Sequence, residues 1–271
     1  VSSLGSDHVE IRRNALTELR LLAKHDDDRR EAIFQAGAVD LLVELLYSDD
    51  AISQQEATTT LVNLSLNQRI KTGIIEAGAI EPLVRVIHIG LTATSMEHAT
   101  IALVYLVGKD DVLKARVGAL NAIPALIELL HNGSERGQKD SATALFILSS
   151  LEENKRRMVR GGVTKLLLDF ISDEGVREDM VGKSIAILKN LVSIEEGRVA
   201  FVEEGGLKFL LGLIQDGNKK SQELGLLILY QLCKHSSKHA SLVLKMDPTP
   251  CLLTIDKNTT HPRLKAQVLF Q

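Results

Sequence analysis

The stretch "AGAVDLLVELL", residues 36–46, places a glycine and small residues before an apolar run, and it returns almost unchanged as "AGAIEPLVRVI" at 77–87. Weaker copies follow as "LNAIPALIELL" (120–130), "RGGVTKLLLDF" (160–170), "EGGLKFLLGLI" (204–214) and "MDPTPCLLTI" (246–255). Taking the second residue of each copy as its anchor, the copies are 41, 43, 40, 44 and 42 residues apart, at Gly37, Gly78, Asn121, Gly161, Gly205 and Asp247. A period this regular predicts a repeat protein.

A second phrase alternates with the first and keeps the same period. It starts as "ALTELRLLA" at residue 15 and recurs at 57, 99, 141, 184 and 225. Within each period the apolar residues recur at intervals of three and four, which predicts helices rather than strands. In one unit a short helix ends near Ile75, a second begins near Ile80, and a longer third begins near Ala99.

The anchor between the first two helices has a physical reason to be glycine. A residue there closes the first helix in a left-handed conformation, which glycine adopts without a steric penalty. Pro82 and Pro124 fall in the first turn of the second helix, where a missing N–H group costs little. Three helices in a period near 42, with this glycine between the first and second, predict armadillo repeats rather than a two-helix array.

We therefore expect an all-α fold, a right-handed superhelical solenoid of armadillo repeats with three helices per unit. A leading third helix at about 9–24 forms a partial N-terminal repeat, and about six units start near 27, 67, 109, 151, 194 and 236. The last unit is worn or truncated. Because one unit cannot bury its own apolar stripe, the copies are expected to stack into a single domain over residues 1–271.

Composition excludes several classes of function. The 271 residues are 45% apolar but only 3% aromatic, with no Trp, so Leu, Ile, Val and Ala must form the core. The net charge of −3 predicts no binding to nucleic acid, and no apolar run is long enough to insert into a membrane. Two cysteines, Cys233 and Cys251, fit a reducing compartment. The start at Val1 and the end inside "LKAQVLFQ" suggest a piece of a longer chain.

Several longer phrases resemble the armadillo region of plant U-box E3 ubiquitin ligases. They are "RRNALTELRLLAKHDDDRR" (12–30), "GSERGQKDSATALFILSSLEENKRRMVRGG" (133–162), "MVGKSIAILKNLVSIEEGR" (180–198) and "HPRLKAQVLFQ" (261–271). The resemblance implies a module that holds a substrate or a regulator such as a receptor kinase, while a U-box elsewhere recruits the E2. The chain departs from the family at Ile147, where Asn is common, and at "LNQR" (66–69), and these residues include no U-box.

In an armadillo stack the exposed faces of the third helices form ladders that hold a partner. The second phrase aligns Leu21, Asn63, Tyr105, Ile147, Asn190 and Gln231 on one ladder. Four residues earlier come Thr17, Thr59, Ile101, Thr143, Ala186 and Leu227. Further towards the helix starts lie Gln55, Glu97, Lys139 and Lys183. We predict that the partner-binding groove consists of Gln55, Thr59, Asn63, Glu97, Ile101, Tyr105, Lys139, Thr143, Ile147, Lys183, Asn190 and Gln231.

The two ladder asparagines allow two interpretations. Asn63 and Asn190 can give and take hydrogen bonds with an extended peptide backbone, or they can bond neighbouring repeats and bind nothing. Tyr105 and Ile147 can likewise line a groove or serve as half-buried packing. Nuclear-import armadillo proteins place Trp four residues before such an Asn, whereas this chain has Thr59 and Ala186 there, so an import adaptor is not expected.

Three motifs resemble chemical sites but have structural interpretations that we favour. "MVGKS" (180–184) resembles a phosphate-binding loop, yet Arg177 occupies a required glycine position and the stretch falls within a helix. "HDDD" (25–28) is expected to cap a helix start rather than bind metal. The histidines His235 and His239 lack a third ligand and are expected to be solvated. In "NKRRMVR" (154–160), Met158 and Val159 are expected to turn inward beneath a solvated basic face.

The sequence thus predicts a protein-binding module with no active site, no metal and no cofactor. The leading hypothesis is the substrate- or regulator-binding arm of a U-box ligase, which acts by proximity. The alternative is an armadillo scaffold or adaptor with no link to ubiquitin transfer. We expect a monomer in the cytoplasm, with the nucleus and the periphery of the plasma membrane as further locations reached through partners.

Overall fold

A computed structural model describes residues 1–172 and 178–249, and this part of the chain contains helices and no strand. After a short 3₁₀ helix (Ser2–Gly5), the α-helices follow one another in repeating triplets, each with a first, a second and a third helix. The first helices are α2 (Asp27–Gln35), α5 (Gln68–Glu76), α8 (Asp111–Ala119), α11 (Glu152–Arg160), α14 (Glu195–Glu203) and α17 (Ser237–Lys245).

The second and third helices complete each triplet. The second helices are α3 (Ala38–Leu45), α6 (Ile80–Ile89), α9 (Ala122–Asn132), α12 (Val163–Ser172) and α15 (Gly206–Asp216). The third helices are α1 (Val9–His25), α4 (Ala51–Leu64), α7 (Ala93–Val107), α10 (Glu135–Leu148), α13 (Glu178–Leu191) and α16 (Lys219–His235). The predicted three-helix period is therefore confirmed over the described residues. The greater part of the predicted sixth unit, including Cys251, lies outside them.

A left-handed residue separates the first and second helix in each triplet, as predicted. The positive φ angles are 72° at Gly37, 79° at Gly78, 63° at Asn121 and 81° at Gly205. In the fourth triplet the predicted anchor Gly161 was wrong, because its φ is −79° and Gly162, with φ of 78°, makes the turn. The phrase "RGGV" holds two adjacent glycines, and only backbone geometry distinguishes between them.

This shift of one residue changes which side chain enters the core. The second helix of the fourth triplet begins at Val163, so Thr164 stands where the other triplets have Val39, Ile123 and Leu207. Thr164 is buried, and its hydroxyl has no hydrogen-bond partner among the described residues. A polar group buried in this way opposes folding, so the fourth triplet has one position that an apolar residue would fill better.

Polar caps and arginines fix the junctions between triplets. Four of the first helices are preceded by a polar residue whose side chain accepts hydrogen bonds from the first backbone N–H groups of the helix. These residues are Asp26, Asn67, Asp110 and Ser236. In the first turn of α2, Arg30 donates to the carbonyl oxygens of Ala23 (2.8 Å) and Lys24 (3.0 Å) at the end of α1. These bonds satisfy carbonyl groups that a helix end leaves without an internal partner.

The described residues belong to two compact units, Val1–Ile147 and one that begins at Leu148. In the first unit α1 packs on α4 and α4 packs on α7, so that third helices lie against third helices. In the second unit α13 packs on α16 in the same way. The core of each is aliphatic, as composition predicted, and Phe201 is the largest fully buried side chain. That one domain spans residues 1–271 stays a prediction.

Candidate protein-binding faces of the third helices

All twelve residues of the predicted groove lie on third helices. They are Gln55, Thr59 and Asn63 on α4, Glu97, Ile101 and Tyr105 on α7, Lys139, Thr143 and Ile147 on α10, Lys183 and Asn190 on α13, and Gln231 on α16. Eleven of them are half-buried or exposed, whereas Glu97 is almost buried. Their role in binding a partner stays a prediction, and the contacts of each side chain decide what it can offer.

Arginine–carboxylate pairs join the third helices at the start of the first unit. The Arg13 Nε atom on α1 lies 3.2 Å from Asp50 Oδ2, at the cap of α4, and Arg20 Nε lies 2.6 Å from Glu56 Oε2. The hydrogen bond from Arg13 holds the pKa of Asp50 well below its ordinary value, and bonds from Ser53 act in the same direction. These groups are occupied in holding α1 to α4, so they are less available to a partner.

Hydrogen bonds continue from α4 to the start and the middle of α7. Thr92 donates to Gln55 Oε1 (3.0 Å), and Thr59 Oγ1 lies 2.7 Å from His98 Nδ1. Because the Thr59 hydroxyl donates to the Gln55 carbonyl oxygen (2.7 Å), His98 must donate through Nδ1–H. Gln55 and Thr59 therefore both bond neighbouring helices.

His98 was not predicted, although it lies next to the groove residues. Burial lowers the pKa of His98, and the positive charges of Arg136 and Arg20 lower it further against the opposing effect of Glu97 and Glu56. The imidazole is consequently neutral near pH 7. Its place directly after Glu97 in "MEHAT" was the only sequence signal that could have identified it.

Glu97, Lys139 and Thr143 differ in what they can offer a partner. Ser134, just before α10, donates its hydroxyl to Glu97 Oε1, so this nearly buried carboxylate ties α7 to the start of α10. Lys139 is exposed, and its carbonyl oxygen accepts from the Thr143 hydroxyl (2.8 Å). Glu97 thus links two helices, whereas the Lys139 side chain is exposed to solvent.

Both ladder asparagines form hydrogen bonds with a neighbouring repeat, which is the contact that one of the two interpretations predicted. Asn63 Nδ2 donates to the Arg20 carbonyl oxygen (3.3 Å), and its Oδ1 has no hydrogen-bond partner within the described ranges. In the second unit Asn190 Nδ2 donates to Ser149 Oγ (2.8 Å), and Asn190 Oδ1 accepts from Lys189 Nζ (3.0 Å). Each amide group therefore uses one of its two N–H donors, and backbone binding by these side chains stays a prediction.

An apolar surface at the carboxyl ends of the third helices of the first unit was largely missed. We call it the apolar row: Val62, Leu66, Val104, Tyr105, Phe146 and Ile147. Leu66 is 51% exposed, Phe146 44% and Tyr105 37%, and the other three are half-buried. The signal was present, because the residue before each ladder position in "LVN", "LVY" and "LFI" is apolar where a solvated helix face favours polar residues.

The corresponding positions of the second unit are more polar, and Tyr230 is the one aromatic residue among them. Lys189 and Asn190 on α13, and Tyr230 and Gln231 on α16, stand where the first unit has its apolar row. Lys234 Nζ lies 5.3 Å from the centre of the Tyr230 ring, close enough for a cation–π contact. The two units share a core pattern but present different chemistry at the same edge.

The motifs that resemble chemical sites have structural roles. Asp26 caps α2 by accepting from Asp28 N (2.9 Å), which confirms the interpretation of "HDDD" as a cap. "MVGKS" lies within α13, as predicted, while Arg177 is outside the described residues. In "NKRRMVR", Met158 is buried, as expected, whereas Val159 is only half-buried. No group of three or more His, Cys, Asp and Glu side chains that could hold a metal ion occurs in residues 1–172 and 178–249.

The prediction of two solvated histidines was half wrong. His235 is exposed, but His239 is buried in the first turn of α17, and its Nδ1 atom has no hydrogen-bond partner among the residues described. Burial lowers the pKa of His239, and the charges of Arg198 and Lys238 lower it further while Glu195 opposes them. His239 lies one turn before Val243, which is also buried, so the helical period places both on the inner face of α17.

Comparisons with known proteins agree with this architecture. The family model of the plant U-box protein ARM repeat region matches residues 2–242. U-box domain-containing protein 1 of Medicago truncatula is 35% identical over 277 residues, which cover 100% of this chain and 39% of that protein. U-box domain-containing protein 17 of Arabidopsis thaliana is 33% identical over 222 residues, covering 81% of this chain and 30% of that protein. The chain thus spans less than half the length of both relatives.

Solved structures show the same fold. A computationally designed armadillo repeat protein for modular peptide recognition superposes with a TM-score of 0.74 at 21% identity, covering 85% of this chain and 97% of the designed one. The prediction of an all-α armadillo fold is therefore confirmed. Within the described ranges, every helix is too short or too polar to cross a membrane.

Proposed function

The chain belongs to the armadillo-repeat region of plant U-box proteins, and from this premise we propose that it is the non-catalytic arm that binds the substrate or regulator of a U-box E3 ubiquitin ligase. A U-box elsewhere in a longer protein would bind the ubiquitin-charged E2. The arm would hold the target beside that E2 and so raise the effective concentration of substrate lysines. The chemistry of transfer would thus lie outside these residues.

One observation carries the proposal: the third helices present a face of half-buried and exposed side chains, an area that solvent reaches. The apolar row of the first unit is the clearest part of this area, because soluble proteins seldom expose clustered aromatic and aliphatic side chains without a binding role. Tyr105 and Phe146 are also among the residue types that interfaces favour. The surface supports recognition of a protein better than recognition of a small molecule.

The kind of partner follows from the same premise. We propose a protein partner, a substrate or a regulator such as a receptor kinase. Nucleic acid is not proposed, because the net charge is −3. We place the protein in the cytoplasm, with the nucleus and the periphery of the plasma membrane reached through partners, and we propose that this chain alone is monomeric.

Ubiquitin transfer with a longer protein that contains this chain tests the proposal. E1, a panel of E2 enzymes, ubiquitin, ATP and candidate substrate proteins are added, and the chain alone serves as the control. We expect the longer protein to transfer ubiquitin and the chain alone to transfer none. Excess free chain should lower transfer to the substrate, because it competes for that substrate, while self-modification of the ligase continues unchanged.

The outcomes separate the two hypotheses. If neither the longer protein nor the chain supports transfer with any E2, the ligase proposal fails and the adaptor hypothesis replaces it. If transfer occurs but excess free chain does not compete, these residues do not hold the substrate. Each result is read from the same gel, so the ligase activity and the binding role are tested independently.

A further inference from the structure

The apolar row crosses three neighbouring third helices of the first unit, α4, α7 and α10. The first of these helices, α4, contributes Val62, and Leu66 lies in the turn after it. The other two each contribute a pair of adjacent residues, Val104 with Tyr105 and Phe146 with Ile147. Packed helices are about 8–10 Å apart, so the row extends over roughly 16–20 Å. A partner that covers it must place large apolar side chains at intervals along a line of that length.

Backbone hydrogen bonding decides which kind of segment fits such a row. An extended segment brings N–H and C=O groups that need partners, and an apolar surface supplies none. On the ladder beside the row, the Asn63 amide group donates one N–H to the Arg20 carbonyl oxygen, which leaves its second N–H, its Oδ1 and the Tyr105 hydroxyl as the few side-chain groups on offer. A helix satisfies its own backbone and needs only apolar contact, so the row favours a helix.

The length of the row agrees with a short helix. At 1.5 Å per residue, a helix of about 11–14 residues spans roughly 16–20 Å. Residues seven apart on its surface are separated by about 10.5 Å, which is close to the spacing between neighbouring third helices. Apolar residues at i and i+7 of the partner would therefore meet neighbouring third helices, and a residue at i+3 or i+4 would lie between them.

Three lysines lie near the carboxyl ends of third helices, and their positive charge favours a partner with acidic side chains. Lys24 lies in the last turn of α1, Lys109 lies just after α7, and the Lys71 ammonium group approaches Gly108. None of the three forms an ion pair within the part of the chain that the structure describes. Among the neighbouring carboxylates, Asp27 pairs with Arg30, Asp111 pairs with Lys114, and Asp110 accepts from the first backbone N–H groups of α8.

We propose that the apolar row, with Lys24, Lys71 and Lys109 at its edge, is the docking site of an acidic amphipathic helix from a partner protein. This inference rests on the proposed function and specifies the partner at that same surface. The apolar face of the partner helix covers Val62, Val104 and Phe146, and its carboxylates face the lysines. The second unit, which has Lys189, Asn190 and Gln231 at the same positions, does not provide such a site.

A synthetic helix of defined sequence tests the proposal. The probe is a fluorescent 16-residue peptide with Leu and Phe at i, i+4, i+7 and i+11 and Glu and Ala elsewhere, titrated against the full 271-residue chain. We expect Phe146→Asp or Leu66→Asp to weaken binding about tenfold or more, since both replace a contact with a charge that repels the acidic probe. Tyr230→Asp, at the position of the second unit that corresponds to Phe146, should leave the affinity unchanged.

Two altered peptides separate helix recognition from simple hydrophobicity and charge. A peptide of the same apolar residues with two internal prolines cannot form the helix and should bind about tenfold more weakly. A peptide with Lys in place of Glu should also bind more weakly, and Lys109→Glu should reduce the difference between the two charge forms. Thermal melting of each protein variant confirms that the fold is intact.

Equal binding by Phe146→Asp and the wild-type chain, or equal binding of the proline peptide, would overturn the inference. The proposed function would survive that result if the free chain still competed for substrate in the transfer assay. Conversely, if the free wild-type chain does not compete for the substrate, the proposed function is refuted even if the chain binds the probe. The two assays therefore fail independently.

Discussion

The third-helix faces of the two units differ at positions that the repeat makes equivalent. In the first unit Val62, Val104 and Phe146 stand where the second unit has Lys189 and Tyr230. The buried positions hardly differ, because Leu61, Leu103, Leu145, Leu188 and Leu229 all lie in the core. The stack thus constrains the inner faces of its helices, and the outer faces are free to acquire separate chemistry.

The contacts between third helices differ as well. In the first unit, arginine–carboxylate pairs join α1 to α4, and a histidine and a threonine join α4 to α7. In the second unit, Asn218 at the cap of α16 donates to Glu178 Oε1 (2.8 Å) on α13. Neighbouring third helices are therefore joined by charged pairs in the first unit and by an amide that donates to a carboxylate in the second. The pH dependence of the two kinds of contact should differ.

The largest expected effect tests whether the two units are separate in stability. Phe201→Ala removes the largest fully buried side chain of the second unit and should cost about 3–5 kcal/mol. Leu83→Ala, also fully buried but in the first unit, should cost about 2–5 kcal/mol. Hydrogen exchange should accelerate mainly in α14–α16 for Phe201→Ala and in α4–α7 for Leu83→Ala. The same exchange pattern for both variants would contradict two compact units.

The next prediction compares the caps of two third helices. Asp50 caps α4 by accepting from Ser53 N (2.8 Å) and pairs with Arg13, whereas Asn218 caps α16 by accepting from Ser221 N (3.0 Å). Asp50→Ala should cost about 2 kcal/mol at pH 7, because it removes a cap and leaves Arg13 without its partner. Asn218→Ala should cost about 1 kcal/mol. Urea unfolding of both variants measures the difference.

The acid dependence of Asp50 sharpens that comparison. The pKa of Asp50 is lowered in the folded state, chiefly by the hydrogen bond from Arg13, so its contribution is complete above the ordinary carboxyl pKa and is lost as the pH falls below about 4. The difference between Asp50→Ala and the wild type should therefore shrink between pH 4 and pH 2, and by more than the Asn218→Ala difference, because Asn218 donates to the Glu178 carboxylate without forming an ion pair. A constant difference for Asp50→Ala would contradict the ion pair.

A smaller effect concerns one histidine in each unit. The pKa values of His98 and His239 are lowered by burial, so the unfolded chain binds protons more readily than the folded one. Stability should be complete above the ordinary histidine pKa of about 6.5 and should decline as the pH falls below it. His98→Gln and His239→Gln should each reduce the loss of melting temperature between pH 7.5 and pH 5.5. An unchanged loss in both variants would show that folding does not lower the pKa of either histidine.

The smallest effect separates the two ladder asparagines. Asn190 donates to Ser149 Oγ at 2.8 Å and Asn63 to Arg20 O at 3.3 Å, so Asn190→Ala should cost about 1 kcal/mol and Asn63→Ala about 0.5 kcal/mol. Under the docking inference, Asn63→Ala changes the affinity for an acidic helix less than Phe146→Asp does. A larger loss of binding with Asn63→Ala would restore the interpretation of Asn63 as a holder of extended peptide backbone.

The sequence alone predicted the helices and their grouping well, because core packing imposes the period directly. It missed by one residue at "RGGV", since Gly161 and Gly162 are both permissive and only the left-handed φ of Gly162 selects the turn. It also missed Arg30, whose bonds to Ala23 O and Lys24 O depend on where α1 ends relative to α2. Contacts of this kind depend on three-dimensional placement, which periodicity does not encode.

The candidate site was predicted at the level of the helix face but not of the individual side chain. Glu97 was expected in the groove, yet Ser134 binds its carboxylate and removes it from the exposed surface. Val62 and Phe146 were passed over because the ladder was traced through Asn63 and Ile147, one residue later. Adjacent residues on a helix are about 100° apart, so both can border one face, and solvent exposure decides which are accessible.

Photo-crosslinking from single positions tests the central claim most directly, namely that the third-helix faces hold the partner. A photoreactive residue replaces Tyr105 on α7 or, as a control, Val112 on α8, which is 77% exposed but lies on a first helix. Each variant is irradiated with the ligase substrate identified in the transfer assay. We predict a crosslinked complex from position 105 and none from position 112. A crosslink from position 112 with none from position 105 would contradict the account and move the binding surface to the first helices.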